Sequence, residues 1–171
     1  MNWDAIAAVG QVVGAALVGI TLVYLAIQLR QNTHALKSST FLSVSTLMGQ
    51  NMEIFATHAD VAPLFIKAQA GLDALSAAER VRFGFLMMMA FRHVETVVVQ
   101  RHLGTIDPEL THGFERSAMS ALRSPGTRQW WETAKGGFSD LFSAWVDRQL
   151  GSDLPPAMHA RSPLLVEKSD A

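Results

Sequence analysis

Between Asp4 and Arg30 the chain carries no charged side chain, and this limits what it can fold into more than any other feature. The stretch from Ala5 to Ile27 reads AIAAVGQVVGAALVGITLVYLAI, with polar side-chain groups only on Gln11, Thr21 and Tyr24. As an α-helix rising about 1.5 Å per residue it reaches roughly 34 Å, enough to cross a hydrocarbon core of about 30 Å. Trp3 at one end, and Tyr24 with Arg30 near the other, suit the two membrane–water interfaces. A transmembrane helix within an anchor over residues 1–30 is therefore expected. A cleaved signal peptide would want Lys or Arg ahead of the apolar run, where this chain has Asp4. A buried core helix would more often be shorter and amphipathic. Arg30 and Lys37 follow the run, so the positive-inside rule puts the N-terminus outside and the remainder in the cytoplasm.

The pattern beyond Arg30 changes to amphipathic helices with clear punctuation, and residues 31–150 read as one helical domain. Phe41, Val44, Met48, Met52 and Phe55 recur at spacings of three and four, which is one helical face. Only Gly49 interrupts, so one helix can run from the span into the domain. Asp60 is placed to cap a short helix that ends at Gly71 as its C′ residue. Ser76 and Glu79 form a capping box opening a helix that Gly104 ends. Its centre, Phe83 to Phe91, reads FGFLMMMAF and predicts a core helix buried all round. Asp107-Pro108-Glu109 opens another helix, with Leu110, Phe114, Ala118 and Leu122 as its apolar stripe. Ser124-Pro125 starts a short helix through Trp130 and Trp131, broken at Gly136-Gly137. Ser139 to Leu150 forms the last, with Leu141, Phe142, Trp145 and Leu150 inward. Residues 151–171 contain three prolines and no periodicity, and read as a disordered tail. No segment alternates like a strand. The fold class expected is all-α, an N-terminal transmembrane helix followed by a compact helical bundle.

Chemistry-bearing residues are sparse. The absence of cysteine removes disulfides, thiol nucleophiles and thiolate metal sites. A formal net charge of −1 gives no bulk attraction for nucleic acid. No two of the six histidines stand four apart on one helix. Glu109-Leu-Thr-His112 is half of a di-iron motif with no second copy. Arg92, His93 and Glu95 adjoin the apolar run: they either line a ligand pocket or fix the central helix through an ion pair. Adjacent residues on a helix point about 100° apart, so one of Trp130 and Trp131 is expected inward and the other free for a partner. No phosphate loop, dinucleotide fingerprint or nucleophile elbow is present. No cofactor or metal site is expected, and enzymatic activity is the least supported reading.

The span carries a seam. Gly10 and Gly14 form a G-x-x-x-G pair, Ala15 and Gly19 a second small pair, and Thr21 and Gln28 continue the stripe. Small residues let membrane helices approach closely, so packing can replace the hydrophobic drive that lipid removes. The partners implied are the bilayer and either a second copy or another membrane subunit.

Trp3-Asp4-Ala5-Ile6, the run G-Q-V-V-G, Leu22-Val23-Tyr24-Leu25 and Gln28 to Thr33 resemble a group of small bacterial single-span membrane proteins. Ser76 to Glu79, Phe91-Arg92 with Glu95, and Ser124-Pro125-Gly126 with Trp130-Trp131 extend the likeness over about residues 3–150. The group often has an acidic residue early in the span, where this chain has Gln11. The resemblance implies a bacterial inner-membrane location and a helical domain, and no activity. The function expected is that of an interaction or accessory subunit of a membrane complex, with a membrane-tethered sensor of a small ligand as the alternative.

Overall fold

The computed structural model describes residues 2–152, and among these six α-helices and no strands occur. Helix α1 covers Trp3–Thr57, α2 Val61–Ala68, α3 Ala77–His102, α4 Pro108–Ala121, α5 Pro125–Ala134 and α6 Asp140–Leu150. Short 3-10 turns lie at Leu72–Ala74 and Lys135–Gly137. All-α is thus the fold class, with one long apolar N-terminal helix and a helical domain. The expected tail lies outside the described residues from 153 onward.

The chain divides into two units at Ser39/Thr40. The first is helical from Trp3 onward. Every described side chain from Asn2 to Leu36 is exposed, and the apolar window is long and apolar enough to cross a membrane. Gly49 does not interrupt α1, which is continuous to Thr57.

Within the second unit α3 is the hub, packed against α2, α4, α5 and α6. Its start is written locally: the Ser76 hydroxyl accepts from the Glu79 N–H, and the Glu79 carboxylate accepts from the Ser76 N–H at 2.7 Å. Just past its end Gly104 takes φ +71, where a side chain would clash with its own backbone. Phe83, Met87, Phe91, Val94 and Val98 point into the main core with Leu122, Trp131, Phe142 and Val146. A smaller cluster joins Val44 to Val97 and Ile106.

Four sequence expectations are corrected here. Helix α3 is not buried all round: Val81 and Phe85 are 61% and 74% exposed, because its neighbours leave that outer face open. On α1 the inward face drifts after Met48; Met52 is exposed, and Asn51 turns toward α3 instead. On α4 the buried residues are Thr111, Glu115, Met119 and Ser120, while Leu110 is exposed. The buried carboxylate there is paired: Arg101 Nη1 lies 2.7 Å from Glu115 Oε1. An ionised partner on α3 therefore outweighs the apolar spacing. Asp60 makes no cap bond to α2, since its carboxylate pairs with Arg82. That short helix stops at Ala68, and Gly71 (φ +123) makes the turn beyond.

Candidate functional site

Three groups of residues stand out in the sequence, and the structure treats each differently. The first is the seam of α1. Gly10, Gly14 and Gly19 have open space where a Cβ would sit, with no described atom within 4 Å, and Gly10 and Gly14 share one side of the helix. Thr21 donates to the Leu17 carbonyl at 2.8 Å, which satisfies its hydroxyl inside the helix. Gln28 Nε2 donates to the Tyr24 hydroxyl at 2.8 Å.

The second group is Arg92, His93 and Glu95, of which Arg92 and Glu95 pair with each other while His93 bonds a different element. Arg92 pairs with Glu95 at 2.6 Å, donates to the Gly137 carbonyl and lies 4.6 Å from the Phe138 ring centroid. Glu95 also accepts from the Ser139 N–H at 2.7 Å. The pair therefore ties α3 to the start of α6 and to the 3-10 turn before it. Three clefts on the domain, around Phe65, Pro63 and His112, include none of the three residues in their linings. The ion-pair reading holds for Arg92 and Glu95. His93 points elsewhere, with its Nδ1 2.7 Å from Asn51 Nδ2.

The electrostatics follow from these contacts. Burial pushes the Glu95 carboxyl up, but the Ser139 hydrogen bonds and Arg92 outweigh it and hold it below the usual carboxylate range. Glu79, bonded by Lys67 and by the Ser76 N–H, is held at about 2. Burial lowers His93, favouring the neutral ring. Carboxylates depressed in the folded state contribute stability that is complete above their unfolded value, near 4.5, and fades as pH falls toward the folded one. His93 acts in the same direction below about 6.5. The urea midpoint is thus expected to fall steadily on acidification. Glu95→Gln should flatten the part of that curve below pH 4.5, and an unchanged slope would contradict the pairing.

The third group is the tryptophan pair, where the expectation of one exposed indole is overturned. Trp130 is 6% exposed and Trp131 fully buried. Their 100° separation still holds, but α5 is covered on two sides. Phe91 of α3 lies 5.0 and 5.6 Å from the two rings, and Phe138, in the loop before α6, covers both at 6.2 and 5.3 Å. Neither indole is available as a surface anchor. Among the described residues no group of three or more His, Asp and Glu is placed to hold a metal ion.

The close approach of α5 to α2 is not written in the local pattern of either helix. A Cβ on buried Gly126 would lie 2.2 Å from the Ala68 carbonyl oxygen. The fingerprint that could have exposed it is a glycine one residue after an N1 proline, at a position where helices rarely want glycine.

Comparison with family models, curated proteins and solved structures gives no match for this chain.

Proposed function

We propose that this is a single-span protein of the bacterial inner membrane, with its N-terminus outside and its helical domain in the cytoplasm. In this reading it serves as an interaction or accessory subunit of a membrane complex. The observation that carries the reading is the surface of α1. From Trp3 to Leu36 its large apolar side chains retain 49–71% of their exposure. Each gains about 1.5–3 kcal/mol on leaving water, so such a helix calls for lipid or another apolar partner. Arg30 and Lys37 at its end supply the orientation.

Two features support association. The open glycine face of α1 suits close helix approach. On α3, Val81 and Phe85 stand one turn apart and exposed, with Met88 and Met89 partly covered beside them. Aromatic and methionine side chains without acids are the composition of interface centres.

The test is purification of the tagged full chain from native membranes in mild detergent, with native mass and identification of what comes with it. A stoichiometric partner or a defined oligomer is expected, and Gly14→Leu or Phe85→Ser should release it. A monodisperse monomer carrying no partner, unchanged by either substitution, would contradict the reading.

A further inference from the structure

Phe55 of α1, Phe65 of α2 and Phe83 of α3 line one cleft of the helical domain. It holds about 460 Å³, within the range of small-molecule pockets. It lies wholly within residues 40–152, so it is independent of the membrane reading. The three rings form a ladder: Phe55 lies 4.6 Å from Phe65, and Phe65 5.2 Å from Phe83, centroid to centroid. The ladder is open at one end, where Phe55 keeps 42% of its exposure. The end of α4 and the start of α5 supply the polar part of the lining.

That polar part is rich in donors and carries one sign of charge. Arg123 is the single ionisable residue of the lining, which has no Asp or Glu. Its guanidinium has five N–H donors and no acceptor, and the Gln69 amide adds two more donors. Ser117, Ser120, Ser124 and Thr127 contribute hydroxyls. In the empty cleft these donate to neutral acceptors: Ser117 to the Gly113 carbonyl at 3.0 Å, Ser120 to the Ser117 carbonyl at 2.6 Å, Ser124 to the Ala68 carbonyl at 3.5 Å, and Thr127 to the Met87 sulfur at 3.6 Å. A hydroxyl turns about its C–O bond, so each can give its proton to a better acceptor that enters. An ionised oxygen is such an acceptor, because hydrogen bonds to it are roughly twice as strong as those to a neutral one. An ammonium would meet the Arg123 charge with no carboxylate beside it, and a neutral polar end would forgo the attraction of that charge.

We infer that this cleft binds a small anionic amphiphile, with its apolar tail against Phe55, Phe65 and Phe83 and its oxyanion head, a carboxylate or a phosphate, toward Arg123, Gln69 and the serine hydroxyls. A medium-chain fatty acid anion is the simplest molecule of this kind.

Photolabelling tests this on the full-length protein in phosphatidylcholine nanodiscs, with a medium-chain fatty acid bearing a diazirine as the probe and mass spectrometry to map the sites. Saturable labelling of the peptides that carry the three phenylalanines is expected. Octanoate or octyl phosphate should displace the probe, and whichever displaces it better identifies the head. Octanol and octylamine should each need at least about ten times the concentration, the equivalent of 1.4 kcal/mol. Arg123→Gln should weaken labelling and remove that preference for the anion, a change that loss of packing alone would not produce. Phe55→Ala, at the open end of the ladder, should weaken labelling and leave the preference in place. Octanol displacing the probe as well as octanoate does, a preference that survives Arg123→Gln, or labelling confined to residues 3–36 would each overturn the inference.

Discussion

Gly126→Ala is expected to cost about 3 kcal/mol or more, at the upper end of what a single added methyl does in a packed interior. The new Cβ would meet backbone, 2.2 Å from the Ala68 oxygen and 3.1 Å from its carbon. A flexible side chain could turn aside; a carbonyl held in the last turn of α2 cannot, so α2 and α5 must separate. Both lie on α3, and their separation opens the main core. Gly84→Ala supplies the control. A Cβ there would make ordinary contact with Trp130 at 3.8 Å, in the middle of α3, where alanine favours the helix over glycine by roughly 1 kcal/mol. Urea unfolding of both variants followed by tryptophan fluorescence should move the midpoint in opposite directions. Equal, small shifts would mean that the two helices do not meet at Gly126.

Trp131→Ala should cost about 3–5 kcal/mol, the range for deleting a buried indole, and a domain with 5–15 kcal/mol of total stability would be near unfolding. The ring is fully buried and touches Phe91, Phe138 and Phe142, with centroids 5.3–5.8 Å away. Its Nε1 is buried without a hydrogen-bond partner. Trp131→Phe should therefore cost well under half as much, since it removes an unmet donor along with part of the ring. Thermal unfolding by circular dichroism separates the two. Near-equal losses would show that the indole donor is satisfied after all.

Local chemistry carried most of the fold into the sequence. The capping box at Ser76 and Glu79 and the Gly104 turn depend on residues three or four apart, and both appear as read. The N1 prolines Pro108 and Pro125 mark α4 and α5 for the same reason. What could not be read depends on neighbours distant in sequence. Whether Phe85 is buried is decided by which elements cover α3, and the apolar run FGFLMMMAF is alike on every face. The inward turn of Glu115 needs Arg101, fourteen positions earlier on another helix. Trp130 and Trp131 are both buried because Phe138 folds back over α5, a contact that no spacing within α5 encodes.

The central claim is that α1 spans a bilayer, and alkaline carbonate extraction of native membranes tests it most directly. The full chain is expected to remain in the membrane pellet at high pH and to leave it only with detergent, because the exposed apolar surface from Trp3 to Leu36 is then held in lipid. Quantitative release into the carbonate supernatant would contradict it, and would make that surface the contact of a soluble assembly.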